Sequence, residues 1–425
     1  MNILQKYIER HVGLQSQIPD QLLEGPSIFI VIPCYNERDI ISTLDSLARC
    51  DKPNSTVSVL IVVNDAEDSQ DEVVEQNHRT LDEIEGWKLN HDHAFFHLET
   101  IYASSIPTKW AGVGHARKIG MDNALIQLVK SNLPDGIILS LDADSTVSAN
   151  YLRVIEECFS KQPLSNFFTI HFEHPVDNPE LNPTIREGII RYELHMRYFR
   201  NAMVWSGYPN AIYTVGSSFA VKASAYARQG GMNKRKAGED FYFLHKLVFL
   251  GEYGNINSTT VFPSARESDR VPFGTGAAIK KWINGDPDLI STYSLEAFSS
   301  LKPLFAMVPW FWENDQSKLA IQMEMLHPIL KLFCKNMETL NEIAELKKNC
   351  SSLKIFGKRF FHLLNAFWIL KYLNFAHESV FNQGDLLMES AKLMHLIDSQ
   401  TYGHNSIENL LMIYRNLDKG IQNCG

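Results

Sequence analysis

The sequence predicts an α/β chain with a doubly wound, mostly parallel sheet flanked by helices, followed by a mainly helical C-terminal region. Three observations carry that expectation. Apolar, β-branched runs alternate with helically spaced segments in units of about 30 residues. The first run, "IFIVIPC" at 28–34, is apolar throughout, as a strand covered on both faces must be. Three of these runs end in polar clusters, "YNE", "NDAED" and "DAD", and doubly wound sheets bind ligands at the carboxyl ends of their strands.

The elements follow in order. After the first strand, "YNERDIISTLDSLARC" switches to helical spacing, with Ile40, Ile41, Leu44 and Leu47 on one stripe. A second strand, "VSVLIVV" (57–63), runs into "NDAEDSQDE", and an extended piece lies near "FFHLETIYAS". A helix reads from about Gly112 through "ARKIGMDNALIQLVK", then a third clear strand, "GIILSL" (136–141). Residues 185–205 read as a helix. Next comes strand or loop and a helix in "WSGYPNAIYTVGSSFAVKASAY", and then a helix starting near Glu239. From about 290 long helical patterns run to the end. The expected division is therefore a helical extension over 1–27, an α/β domain over 28–290 and a helical domain over 291–425.

Composition narrows the function. Lys and Arg number 40 against 49 Asp and Glu, a net charge of −9, which argues against nucleic acid as a partner. The six cysteines contain no Cys-x-x-Cys pair, so neither a disulfide framework nor a zinc site is expected and a reducing, cytoplasmic setting fits. The N-terminal "MNILQKYIERHVGLQSQ" lacks the apolar core of a signal peptide, and no apolar run reaches the roughly 18 residues of a membrane span. The stretch "LKIFGKRFFHLLNAFWILKYL" mixes aromatics with Lys354, Lys358, Arg359 and Lys371. It reads either as a buried helix pair or as a membrane-surface contact.

The chemistry concentrates on "LSLDADS" (139–145). Residues two apart on an extended strand point the same way, so Asp142 and Asp144 converge at the strand's end. Paired carboxylates there suit a hard cation, Mg²⁺ or Mn²⁺, holding a diphosphate. The alternative is that one of them caps a helix beginning near Ser148 and the other is solvated.

Taken with their neighbours, "IFIVIPCYNE", "VVNDAEDSQD", "AGVGHARKIGMDNAL", "IILSLDADS" and "GSSFAVKASAYARQGGMNKRKAGEDFYF" resemble, in order and spacing, the family 2 glycosyltransferases of GT-A fold. The resemblance spans about residues 28–255. It implies transfer of a sugar from a nucleoside-diphosphate sugar to a hydroxyl acceptor (a glycan, a lipid-linked molecule or a small molecule), with inversion. It implies further that Pro33, Tyr35 and Glu37 line the nucleotide pocket and that Asp65 meets the base. Arg117, Arg266 and Arg270 fall on the diphosphate side, Asp142 and Asp144 on a metal. Asp240 becomes the general base, with Glu239 beside it in the acceptor site. The Gly230-Gly231 pair would let backbone approach the donor. Lys118 stands where the family usually has Asn, and residues 246–326 offer no histidine as a further metal ligand.

Other readings compete at particular residues. Asp65 follows Asn64 in good turn chemistry, Glu37 and Glu239-Asp240 suit first helical turns, and Arg117 or the arginine loop can be structural. "LDADSTV" also matches the nucleophile motif of haloacid-dehalogenase phosphatases, with Asp142 as nucleophile. That motif usually opens its fold, and here two strand-helix units precede it. A non-catalytic sugar-nucleotide-binding module on the same fold is the third possibility.

Overall fold

The computed structural model describes residues 3–12, 16–20, 27–236, 238–266, 274–314, 316–398 and 406–420. These fall into two compact units, one within 1–189, 214–280 and 418–420, the other within 190–213 and 281–417.

The first unit is built on a mixed eight-stranded sheet. Its strands are β1 (Ser27–Cys34), β2 (Thr56–Ala66), β3 (Phe96–Ile106), β4 (Ile137–Ser140), β5 (Thr146–Val147), β6 (Phe167–Phe172), β7 (Phe219–Lys222) and β8 (Gly254–Phe262), in spatial order β3-β2-β1-β4-β7-β6-β8-β5. The helices are α1 (Ile3–His11), α2 (Ile40–Ala48), α3 (Asp71–Asn90), α4 (Val113–Lys130), α5 (Tyr151–Lys161), α7 (Ala223–Arg228), α8 (Glu239–Leu247) and α9 (Thr275–Ile283), whereas α6 (Pro183–Trp205) belongs to the second unit from residue 190 onward. Strands β3, β2, β1 and β4 are mutually parallel, and this is the half that the apolar runs marked. Beyond β4 the pairing alternates: β7 is antiparallel to β4 and β6, β8 parallel to β6, and β5 antiparallel to β8.

Why these residues make this sheet is visible in β1, where all eight positions are buried. Pro33 is tolerated because β4 pairs only with Ile28 through Val31, so the missing N–H faces no ladder on that side. Helix α4 lies close against β1 and β2 at Gly120, where an added Cβ would come within 2.3 Å of Val31. Helix α5 begins at Tyr151, later than expected, because the short β5 intervenes after the Asp142–Ser145 turn.

The N-terminal helix is fastened to this unit by a buried polar knot. The Tyr7 hydroxyl donates to Asp122 Oδ1 at 2.9 Å and the Tyr226 hydroxyl to the same oxygen at 2.8 Å. Lys118 Nζ donates to Asp122 Oδ2 at 2.6 Å and to the Tyr7 hydroxyl at 2.9 Å. Lys118, the departure from the family pattern, thus joins the knot that holds α1. Gly231, with φ of +72°, makes room for the Tyr7 hydroxyl; an added Cβ would lie 1.9 Å from that oxygen.

The second unit is helical. An aromatic core of Phe298, Phe311, Phe333, Phe356, Phe360, Trp368 and Tyr372 fills it. Both helices of the basic-aromatic stretch, Leu353–Leu363 and Ala366–Ser379, bury their aromatic face, while Lys354, Lys358, Arg359 and Lys371 stay exposed. A buried carboxylate, Glu193, holds Arg197 and Arg415 and so ties the last helix to α6. No described helix is long and apolar enough to cross a membrane.

The knot predicts an ordered pair of effects on stability. Tyr7→Phe leaves Asp122 with one donor fewer and should cost about 1–2 kcal/mol in denaturant unfolding. Gly231→Ala, strained by its left-handed backbone and colliding with Tyr7, should cost more, and combining it with Tyr7→Phe should cost less than the sum of the two.

Candidate active site

The site forms at the carboxyl ends of β1, β2 and β4, with α8 bringing in the second acidic pair. Strand β4 stops at Ser140, so Asp142 and Asp144 lie in a turn rather than on a strand. The turn is closed by Ser145 N–H donating to the Asp142 carbonyl at 3.1 Å. It is anchored by Leu141 N–H on the Val31 carbonyl and by the Thr43 hydroxyl on the Ala143 carbonyl at 2.9 Å. The two carboxylates therefore do not converge by strand alternation. Each faces its own arginine, and neither caps α5, whose N-cap is Asn150.

Asp142 accepts from Arg117 Nη2 at 2.6 Å. The other arm of that guanidinium, Nη1, is bonded to Glu239 Oε1. Arg117 projects from the second turn of α4, only 1% exposed. Burial disfavours its charge, but Glu239, Asp142 and Asp240 around it more than compensate and hold it protonated. The close fit depends on glycines. A Cβ on Gly216 would lie 2.9 Å from Arg117 Nη2, and one on Gly114 would meet the Arg235 carbonyl at 2.3 Å and the Glu239 side chain at 2.9 Å. Arg117 Nε has no partner among the described residues.

Asp240 stands beside Glu239 at the first turn of α8, entered through Gly238 with φ of +68°. Its Oδ1 accepts the Phe241 N–H at 2.7 Å. Burial, then the neighbouring Glu239 charge, pushes its pKa up to about 7, with Arg117 opposing. Glu239 is also raised by burial, against the pull of Arg117.

The second arginine, Arg266, makes a fork onto Glu37, with Nη1 at 3.0 Å from Oε1 and Nη2 on Oε2, and also donates to Asp144 at 2.9 Å. Glu37 is fully buried and accepts the N–H groups of Arg38 and Asp39 at 2.8 and 3.1 Å. Its carbonyl is held by Gln76 and Thr80 of α3. Tyr35 is half-buried at the end of β1, and Pro33 is buried within it. Arg270 lies outside the described residues.

Asp65 ends β2 next to a register shift between Asn64 and Ala66. Its oxygens accept from the Tyr102 hydroxyl at 2.6 Å and the Ser105 N–H at 2.7 Å. Burial and then Asp65 push the Tyr102 phenol up to about 12. Asp65 thus pins the irregular end of β3, where Ser105 takes the left-handed φ of +54°. Sequence reasoning missed Tyr102 and Ser105, whose only signal was their place at the end of the third extended run.

Around the two arginines stand five carboxyl groups, Glu37, Asp142, Asp144, Glu239 and Asp240, so the site carries an excess of negative charge. Among the described residues no group of three or more His, Cys, Asp or Glu is placed to cage a metal. Two carboxylates on an acidic turn nonetheless suit a magnesium-like ion, which takes one or two protein oxygens and completes its shell with phosphate and water.

No protein-family model matches the sequence, and comparison with curated proteins finds no match. Among solved structures the chain is similar to S. aureus TarS 1-349, at 12% identity over 78% of this chain and 89% of that chain with a TM-score of 0.38. The same protein in complex with UDP-GlcNAc gives 13% identity, the same coverage and a TM-score of 0.40. The mannosyltransferase PcManGT from Pyrobaculum calidifontis, in complex with GDP-Man and Mn²⁺, is 14% identical over 98% of this chain and 92% of that chain, with a TM-score of 0.36.

Arg117 is the test of the geometry. Arg117→Met strands buried Glu239 without a counter-charge, and should destabilise the first unit by about 3–5 kcal/mol in denaturant unfolding. Because the lost cation also opposed the rise of the Glu239 pKa, the deficit should shrink as the pH falls and Glu239 protonates.

Proposed function

We propose that the chain is a family 2 glycosyltransferase of GT-A fold, with residues 28–290 as catalytic domain. It moves a sugar from a nucleoside-diphosphate sugar to an acceptor hydroxyl with inversion. One observation carries the reading: a single buried guanidinium, Arg117, joins the Asp-x-Asp turn to the Glu239-Asp240 pair, drawing a phosphate-side motif and an acid-base motif into one cleft. The five free cysteines among the described residues agree with a reducing, cytoplasmic setting.

The chemistry can be assigned to this chain's own groups. The acceptor hydroxyl is a poor nucleophile until its proton leaves, and Asp240, poised near pH 7, is placed to take it. As the acceptor oxygen bonds to the anomeric carbon, the bond from that carbon to the diphosphate breaks, and negative charge gathers on the departing nucleoside diphosphate. Arg117 and Arg266 are the cations on that side. Glu37 keeps Arg266 aimed, and Pro33, Tyr35 and Asp65 border the place for the nucleoside. Asp142 and Asp144 would hold Mg²⁺ or Mn²⁺, which when bound neutralises the diphosphate and offsets the acidic surplus.

Glu239 is a weaker candidate for the base, since its carboxylate is spent on Arg117. Asp240 has no guanidinium bonded to it, and two adjacent carboxyls in different settings take different roles.

Two outcomes test the assignment. With a nucleotide sugar that the protein hydrolyses or transfers, kcat/KM should rise with pH through about 7 as Asp240 loses its proton, and level off above it. Asp240→Asn should lower kcat by about 10²–10⁴-fold while donor Kd stays nearly constant, the mark of an interaction made in the transition state. A kcat within about threefold of the parent would make Asp240 a helix-terminal cap.

Asp144→Asn should weaken the divalent-ion-dependent part of nucleoside-diphosphate binding and leave the EDTA-treated affinity unchanged. Calorimetry with and without chelator reads both, and equal affinities in all four combinations would refute a metal at this turn.

A further inference from the structure

Next to the acid-base pair lies a group of cations that the proposed reaction does not use. The segment "NKRK" (233–236) lies two positions before Gly238, and Lys234, Arg235 and Lys236 are all exposed. Facing them is the loop before α4, with exposed Lys109 and Trp110. The two segments pack backbone to backbone: a Cβ on Gly112 would sit 2.9 Å from the Lys236 Cα, and one on Gly114 would sit 2.3 Å from the Arg235 carbonyl and 2.9 Å from Glu239.

The cations are arranged around aromatic rings. Lys109 Nζ lies 4.2 Å and Lys234 Nζ 4.7 Å from the centre of the Trp110 ring, and the Arg235 guanidinium lies 3.7 Å from the Tyr242 ring. His115 points to the same concentration of charge, since burial and then Lys234 and Lys118 push its pKa down. None of Lys109, Lys234, Arg235 and Lys236 has a carboxylate partner among the described residues. Glu67, just after β2, accepts the Thr108 N–H. Asn233 Nδ2 donates to the Glu239 carbonyl at 3.2 Å, and its Oδ1 accepts the Arg235 N–H at 3.1 Å, which ties the basic segment to the start of α8.

Four cations with no carboxylate partner among the described residues, in a chain whose net charge is −9, make a local field opposite to that of the whole. Their place is beside Glu239, since Gly114 lies against both the Arg235 carbonyl and the Glu239 side chain. We infer that this surface receives the acceptor, and that the acceptor carries phosphate groups near the hydroxyl to be glycosylated. Three of the four are lysines, which meet phosphate oxygens as compact point charges, and Arg235 adds a guanidinium of the kind that forks onto phosphate. The Trp110 ring adds an apolar face suited to the carbon side of a sugar or polyol. The inference rests on the glycosyltransferase reading above and deepens it by naming the acceptor's chemistry.

The test uses the full chain in EDTA and two phosphate probes, a short linear inorganic polyphosphate in solution and phosphatidylcholine vesicles with or without phosphatidic acid. Binding is read by calorimetry, by Trp fluorescence and, for vesicles, by sedimentation. At least one probe should bind, weaken as salt is raised, and resist competition by saturating UDP and GDP. In the triple variant Lys109→Gln, Lys234→Gln, Lys236→Gln its affinity should fall about tenfold, with the melting temperature unchanged. The single variant Lys234→Glu should shift it the same way. Binding of the soluble probe assigns the phosphate to a water-soluble acceptor, and binding of the acidic vesicles alone assigns it to a lipid. Failure of both probes, undiminished binding by the variants, or displacement by the nucleotides overturns the inference, the last because the patch would then serve the donor. Donor hydrolysis by the unmodified protein is scored separately. If no nucleotide sugar is hydrolysed while the probe still binds, the anion site stands but its role as an acceptor subsite falls with the transferase reading.

Discussion

A guanidinium withdrawn from water must find its counter-charge in the protein, and Arg117 finds it in two carboxylates that lie far apart in sequence. That requirement fixes much of the site at once. The Asp142 turn must end where it does, α8 must enter with Glu239 facing inward, and Gly216 and Gly114 must lack side chains so that the arginine and its partners fit. Removing any one partner would leave a buried charge exposed to a low-dielectric interior, the costly half of ion-pair energetics. Because the interaction spans β4, α4 and α8, it converts three separately folded strand ends into one rigid constellation.

The second arginine stands in a different balance. Arg266 is partly exposed, and it bonds the fully buried Glu37 and the half-buried Asp144 together. Glu37 is already satisfied by two backbone N–H groups, so it can hold Arg266 without needing Asp144. Asp144 is therefore the partner most easily exchanged. A divalent ion bound there with a diphosphate would release Arg266 from one carboxylate while supplying a phosphate in its place, so the guanidinium need not lose a charge-assisted contact. In this arrangement the donor and its cation replace an interaction rather than fill an unpaired one.

The parallel half of the sheet was legible in the sequence because strands covered on both faces read as unbroken apolar runs, and "IFIVIPC" and "VSVLIVV" do. The mixed half was harder. "FFTIHF" carries Thr169 and His171 inside its apolar run although every position is buried, and Gly254–Phe262 is largely polar and partly exposed. At the site, the acidic pairs were visible as motifs, yet their partners were not. Nothing local to Asp142 announces Arg117, which reaches it across the sheet. The i, i+2 argument failed for a similar reason, because the strand ends before the first aspartate and a turn sets the direction of each side chain. What Lys118 and Gly231 do was likewise not legible, because each answers to Tyr7, a residue more than a hundred positions away. The segment Asn233–Lys236 reads in sequence as an ordinary solvated charge run, and only its packing against the loop of Trp110 gathers it into a surface.

The division of labour between Glu239 and Asp240 follows from the same buried arginine. Both carboxyls are withdrawn from water, and burial alone would raise both toward the neutral form. Arg117 bonds one of them, which then behaves as a fixed structural anion whose charge is already spent. That anion sits beside Asp240 and disfavours a second negative charge, adding to the effect of burial and helping bring its pKa to about 7. A base needs this condition: ionised enough at neutral pH to accept a proton, and basic enough to hold it. On the proposed reading, exchanging the two environments would exchange the roles, and which carboxyl serves as base would follow from which one the arginine bonds.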